Sequence, residues 1–292
     1  MFKKAERKKA KLRLGILGPA GSGKTYSSLL IAQGLNGSVA LIDTEHGSGE
    51  LYADLINYDV ATLNPPFTPQ RYIELIKDAE EAGYNTLIID SLSHAWSGEG
   101  GVLDMHDKAS ASVRNSFAAW REVTPHHNNL IETMLQSNLH LIATMRTKTA
   151  YEVVEDNGKA KPVKVGLAPV QREGMDYEFT VVFDLSIDKH IATASKDRTG
   201  LFDGQHFVPS AETGKALLDW LETGIDPTKI SETSLNQFLE RVGKIENVFE
   251  LQNWWKKHLS EIDLLLPVHR STLVDAVNSL KATLNGTQPA LN

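Results

Sequence analysis

Gly18-Pro19-Ala20-Gly21-Ser22-Gly23-Lys24-Thr25 decides how this sequence is read. The octapeptide follows the apolar run Leu12 to Leu17 and precedes a helix-like segment, Tyr26 to Leu35, so the glycines fall at a strand-to-helix turn. That is the context a phosphate-binding loop requires. Glycines let the chain curl until its N–H groups point inward at phosphate oxygens, and the helix N-terminus adds partial positive charge. Lys24 would reach the β- and γ-phosphates, and the Thr25 hydroxyl would hold Mg²⁺. Gly18, Pro19, Ala20, Gly21, Ser22, Gly23, Lys24, Thr25 and Tyr26 are therefore the expected nucleotide contacts at this turn.

The 292 residues around that loop suit one large domain, or one with a small appendage. At 41% hydrophobic and 23% charged, the composition is that of a globular protein. No apolar run approaches the roughly 20 residues that cross a bilayer, and Met1-Phe2-Lys3-Lys4 leads into no signal-peptide core. A soluble, cytoplasmic protein with no membrane partner is expected. The absence of cysteine excludes disulfides, thiolate metal sites and a cysteine nucleophile. A net charge of −7 argues against a globally basic nucleic-acid coat. The first thirteen residues are the exception, with Lys3, Lys4, Arg7, Lys8, Lys9, Lys11 and Arg13 against Glu6 alone. A basic arm over residues 1–13 either touches a phosphate backbone or is a solvated first helix.

Further along, Ser38-Val39-Ala40-Leu41-Ile42-Asp43 reads as a buried strand running into Thr44-Glu45-His46-Gly47. Open α/β sheets bind ligands beyond the carboxyl ends of their strands, which aims Glu45 at the crevice of the glycine loop. A carboxylate there orients and polarises water; a solvated strand-end acid is the alternative. Pro69 to Ala82 carries apolar groups at helical spacing, with Gly83 as its C-cap. Thr86-Leu87-Ile88-Ile89-Asp90-Ser91 is an apolar strand ending in an acid, the Walker B pattern, in which the carboxylate holds Mg²⁺ directly or through water. Ser91, rather than a glutamate, follows Asp90, so Glu45 leads as the catalytic carboxylate.

Ser93 to Gly101 reads as a glycine-rich loop, with helices at Ser112 to Trp120 and Leu130 to Leu135; His94, His126 and His127 lack paired metal-ligand spacing. A strand from Leu139 to Ala143 leads into Thr144-Met145-Arg146-Thr147-Lys148. Thr149 to Asp176 reads as a hairpin, with Tyr151 to Glu155 against Pro162 to Val165 around Asp156-Asn157-Gly158. Strands at Tyr177 to Leu185 and His190 to Ala194 precede Ser195-Lys196-Asp197-Arg198, and a helix from Ala211 to Leu221 closes the core.

The run from Ile42 to Leu55, IDTEHGSGELYADL, resembles the segment after the second core strand of the RecA family. The resemblance implies an α/β fold: a RecA-like P-loop core with a mostly parallel twisted sheet flanked by helices, plus a small C-terminal helical appendage. It implies ATP and Mg²⁺ as cofactors, Glu45 on the attacking water, and Tyr52 on adenine or simply in the core. Thr25 and Asp90 would hold the metal. Thr144 takes the sensor-strand position, where RecA itself has glutamine. The loop carrying Trp96 would face single-stranded DNA, with Trp96 either stacking on a base or packing internally. Arg146, Lys148, Lys159, Lys161, Lys164 and Arg172 correspond to a second DNA-binding loop. Lys196 and Arg198 match the basic pair that reaches a neighbouring subunit's ATP, acting with Lys24 and Glu45.

The resemblance covers residues 11–224. A separate helical hairpin is expected over residues 231–284, carrying apolar stripes at Leu235, Phe238 and Val242, at Val248, Leu251 and Trp254, and at Leu273, Val277 and Leu280. Residues 285–292 read as a flexible tail. GPAGSGKT, IDTEHG and the hairpin end VQREG look most like the compact recombinases encoded by phages, the Sak-type single-strand annealing ATPases. That likeness implies a DNA-stimulated ATP hydrolase that binds single-stranded DNA and anneals or exchanges strands. It would act as a homo-oligomeric ring or filament in the host cytoplasm, with a single-strand-binding protein as partner. The rival readings are a RecA-like helicase motor, a nucleotide-gated scaffold and, less readily, a P-loop kinase, which would need an acceptor pocket and an arginine-rich lid.

Overall fold

The computed structural model describes residues 4–112, 116–156 and 159–286; the side chains of 112, 149–156, 159–166 and 286 stand outside that description. Two compact units result, one of residues 10–222 and one of residues 4–9 with 223–286. In chain order the larger unit runs β1 (Arg13–Gly18), α1 (Lys24–Gly34), β2 (Val39–Asp43), β3 (Asp59–Thr62), α2 (Pro69–Glu81), β4 (Thr86–Asp90) and α3 (Ser93–Ser97). It continues with α4 (Val102–Ser112), α5 (Ser116–Gln136), β5 (His140–Asp156), β6 (Lys159–Pro169), β7 (Val181–Leu185), β8 (Ala192–Asp197), β9 (His206–Phe207) and α6 (Ala211–Leu221).

The main sheet has the order β3-β2-β4-β5-β1-β7-β8-β9. Strands β3 to β7 of that order are parallel, β8 and β9 are antiparallel additions at one edge, and β6 pairs antiparallel with the outer part of β5. Every residue of β1, β2 and β4 is buried. Such strands need apolar side chains on both faces, which is why the sequence shows continuous runs rather than alternation. Leu87 and Ile89 of β4 pack with Ile73 and Ile76 of α2 and with Leu130 and Met134 of α5. Ile88 points the other way, into a cluster with Leu29 and Ile31 of α1 and Leu217 and Leu221 of α6. The period of two along each strand thus splits the core into two layers, one per face of the sheet. The result is the α/β core expected from the motifs, a mostly parallel sheet flanked by helices, with further helices at the C-terminal end of the chain.

Helices α1 and α6 meet backbone to backbone. A Cβ at Gly34 would lie 1.9 Å from the Ala211 carbonyl oxygen, and one at Gly214 would lie 2.0 Å from that of Ile31. Glycine at both positions is what lets α6 lie on the helix that carries the phosphate loop.

Several expectations change. The glycine-rich stretch after β4 begins with a helical turn, α3, because Leu92 to Ser97 packs against the sheet before the glycines start. Residues 116–136 form one helix through Pro125, not two segments. Strand β5 does not stop at Ala143; it runs 17 residues into the hairpin, whose pairing ends at Asp156↔Lys159, with Asn157 and Gly158 of the expected turn outside the described residues. Strand β7 starts at Val181 rather than Tyr177, after a 3₁₀ turn at Met175–Glu178, and the strand expected at residues 190–194 is β8, Ala192–Asp197, which takes in Lys196.

Arg13, counted with the basic arm, is buried in β1. Its guanidinium donates to the carbonyls of Leu12, Leu135, Ser137 and Leu139, closing the C-terminal end of α5, where the helix dipole favours a cation. In the smaller unit, residues 227–286 form three helices instead of a hairpin: α7 (Pro227–Val242), α8 (Val248–Ile262) and α9 (Pro267–Gly286). Leu235, Phe238, Leu251, Ile262 and Leu273 make up its own core. Lys9 pairs with Asp226, and Lys8 bridges to Ile225. The expected tail falls largely on residues 287–292, outside the described residues.

Candidate active site

The sheet order puts β5 between β1 and β4, so the glycine loop after β1 and the acid ending β4 flank β5 near Thr144 to Arg146, where its parallel pairing stops. Gly23 caps α1 with φ of +84°, a left-handed conformation that costs glycine nothing. The first turn of α1 holds no acidic residue, so its N-terminal partial positive charge is left for an anion. Lys24 lies over the loop and donates to the carbonyls of Gly18 and Pro19, 3.0 Å each. Burial lowers its pKa, while Asp90 and Glu45 pull the other way. Ser22 is fully buried, and its hydroxyl has no partner.

Asp90 is the best-held acid of the site. Its Oδ2 accepts from the Thr25 hydroxyl and its Oδ1 from the Thr144 hydroxyl, both at 2.5 Å. Burial raises its pKa, and those two hydrogen bonds and Lys24 oppose the rise. A hydroxyl and a carboxylate converging here are hard oxygen donors of the kind Mg²⁺ takes. Among the described residues no cluster of three His, Asp or Glu is set to hold a metal by itself. Thr25 and Asp90 would therefore hold Mg²⁺ together with phosphate oxygens, and the metal would supply charge neutralisation there. Thr144 is completely buried and reaches Asp90, not the open cavity.

A cavity of about 570 Å³ is bounded by Gly21, Gly23, Lys24, Thr25 and Asp90 on one side and by Glu45, Tyr52 and Arg146 on the other. Glu45 is fixed by its own turn: Asp43 accepts the Glu45 N–H at 2.6 Å and the Gly49 N–H at 3.0 Å. The Arg146 guanidinium donates twice to Glu45 Oε1, at 3.0 and 2.9 Å. Arg146, expected on the DNA loop, thus stands in the cavity against the proposed catalytic carboxylate. Its position two residues past Thr144, at the carboxyl end of a parallel strand, is the signal that would have placed it there.

A second cavity, of about 700 Å³, adjoins the loop and is bordered by Tyr26, Leu30, Tyr52, His190 and Pro209. The Tyr26 and Tyr52 rings meet edge to face at 6.0 Å. No sequence pattern marks His190, which has a positive φ of 53° and whose Nδ1 lies 3.1 Å from the Ser22 carbonyl.

The remaining expected residues lie elsewhere. Lys196 donates to the carbonyls of Asp176 and Tyr177, and Arg198 donates to that of Tyr177. Within one chain neither borders the cavity beside the glycine loop. Lys148 is exposed on β5, and Arg172 borders a different cavity with His127, Glu132, Glu173 and Glu178. Lys159, Lys161 and Lys164 belong to β6, and their side chains lie outside the described residues. Trp96 is half-buried and stacks on Trp120 at 5.9 Å, as packing requires. No helix among the described residues is long and apolar enough to cross a membrane.

Comparison with solved structures finds likeness to the RadB recombinase, at 16% identity over 69% of this chain and 89% of that one, with a TM-score of 0.38. It also finds likeness to a prototypical ATPase from the type III secretion system of pathogenic bacteria, at 12% identity over 92% and 80%, with a TM-score of 0.37. No curated protein matches the sequence. The profile of the AAA domain family matches residues 10–213, which takes in the loop, Glu45, Asp90, Thr144 and Arg146. The chain belongs to the AAA domain family, and its core is a P-loop ATPase domain.

Proposed function

We propose that this ATPase hydrolyses ATP while bound to single-stranded DNA, as a recombinase of the phage Sak type that anneals or exchanges strands in a ring or filament. The observation that supports the reading is the continuity of β5. It carries Thr144 against Asp90 and Arg146 against Glu45, then runs directly into a hairpin on which Lys148, Lys159, Lys161 and Lys164 lie. In this reading Lys24 and the loop N–H groups hold the phosphates, and Thr25 and Asp90 hold the metal. Tyr52 and Tyr26 border the base, and Glu45 orients water through Oε2, since both Arg146 donors converge on Oε1. Lys196 and Arg198 act on the nucleotide of a neighbouring copy. A single-strand-binding partner rests on the family likeness alone.

The test is ATP turnover with and without single-stranded DNA across protein concentrations, for wild type and Lys196→Ala/Arg198→Ala. DNA stimulation should rise cooperatively with concentration and fall on the order of a thousandfold in the double variant, as for an arginine supplied in trans. Turnover indifferent to both DNA and the double substitution would overturn the reading. A nucleotide-gated scaffold is the second reading, favoured by the ion pair on Glu45. A chain that binds a fluorescent ATP analogue yet turns over no ATP in any condition would move the assignment there.

A further inference from the structure

The helical unit of residues 227–286 carries a groove that its own core does not fill. Helices α8 and α9 leave a space of about 270 Å³ between Leu251 and Trp255 on one side and Val274 and Val277 on the other, edged by Lys256 and Lys281. Val274, Val277, Asn278 and Lys281 are spaced i, i+3, i+4 and i+7, so they form one continuous face of α9. Both lysines are exposed, and among the described residues no carboxylate borders the groove. Lys244 with Glu240, Arg270 with Asp263 and Lys9 with Asp226 are ion pairs of this unit that involve neither rim lysine.

An apolar floor with cations alone at its rim selects its ligand on two counts. The floor takes a large apolar side chain, and at this volume it takes one such side chain rather than a whole helix. The rim takes negative charge beside that side chain. A nucleic acid fits less well, because Trp255 is the one flat face in a lining of Val and Leu, enough for a single base and not for a succession of them, and two lysines make no continuous track for a phosphate backbone. We propose that this groove binds a short acidic peptide segment of a partner protein, seating one bulky apolar residue between α8 and α9 and pairing its carboxylates with Lys256 and Lys281. This site is independent of the nucleotide cavity and of the function proposed above.

Fluorescence anisotropy of a labelled tetra-aspartyl-phenylalanine peptide, titrated with the full chain, tests the proposal. Saturable binding is expected that weakens at least tenfold for tetra-aspartyl-alanine, for tetra-lysyl-phenylalanine, and for the variant Lys256→Glu/Lys281→Glu. Asn278→Trp, which fills the groove from an exposed position, should weaken it equally. Circular dichroism of both variants should match wild type, since neither change touches the core. Binding that ignores the peptide's phenylalanine or both variants overturns the proposal, as does no saturation up to about 1 mM, the weak limit of a specific contact. Displacement of the peptide by oligothymidylate from the wild-type groove would instead make it a nucleic-acid site. A chain ending at Gly286 that binds the peptide tenfold tighter would make residues 287–292 the occupant. Self-association abolished by Asn278→Trp would make it a second copy.

Discussion

Asp90 shows how the site is kept rigid one residue at a time. It is only 3% exposed, and a carboxylate in that setting is tolerable because two hydroxyls donate to it. Thr144→Val keeps the shape of the side chain and removes one donor, so folding stability should fall by about 1–3 kcal/mol in urea denaturation. An unchanged midpoint would mean that the Thr25 hydroxyl suffices. His140 offers a pH test. It is buried at the start of β5, accepts the Leu12 N–H at Nδ1 (3.2 Å), and its pKa is lowered by burial to about 4. The folded chain therefore binds that proton less readily than the unfolded chain. The stability this provides is complete above about pH 6.5 and is lost as pH falls toward 4. His140→Gln retains an acceptor without a titrating ring, so the loss of stability between about pH 7.5 and 4.5 should shrink by on the order of 2 kcal/mol relative to wild type. Charge is the property least legible at this scale. Arg13 reads from the sequence as part of an exposed basic arm, on a phosphate backbone or in solvent, and Arg146 as a cation for DNA, yet one closes a helix inside the core and the other meets Glu45. A guanidinium's five donors serve carbonyls and carboxylates as well as phosphates, and only the fold decides which it meets.

At the scale of elements, the glycine loop and strands β1, β2 and β4 were legible because burial on both faces writes itself into sequence as unbroken apolar runs. The hairpin was legible from Asn157-Gly158 between alternating segments. Three features were not. Strand β3, Asp59–Thr62, is a half-exposed edge strand of four residues and carries no unbroken apolar run. Nothing in propensity says that α5 continues through Pro125, because tertiary packing of Leu130 and Met134 holds it. Nor does propensity say that Gly34 and Gly214 face one another, since that approach joins residues far apart in the chain. Gly34→Ala should force α1 and α6 apart at a cost of about 1–3 kcal/mol and lower the midpoint of thermal unfolding. Bound ATP analogue should lose affinity in the same variant, because α1 carries Lys24 and Thr25. In the hairpin, replacing Lys159, Lys161 and Lys164 by alanine should weaken single-stranded DNA binding. The slope of log affinity against log salt should become shallower by about 0.7 for each phosphate that is no longer neutralised. A slope unchanged by the triple replacement would remove the hairpin from the proposed DNA surface.

Across the whole molecule, the family match ends at residue 213 and the larger unit at 222, leaving the three C-terminal helices with a core of their own. We expect residues 10–222 to fold and to bind a fluorescent ATP analogue within about threefold of the full chain's affinity, a difference below about 0.7 kcal/mol. An unfolded fragment would show that the helices are needed for the core to form. Strand β5 is, finally, a mechanical part. Seventeen residues of strand span about 56 Å at 3.3 Å per residue, of which only the first few are clamped between β1 and β4. The remainder is a cantilever braced by β6, with a single joint where the pairing register shifts between Ala150 and Tyr151. A load on the outer arm would have to pass that joint before it reached the clamped root at Arg146 and Thr144.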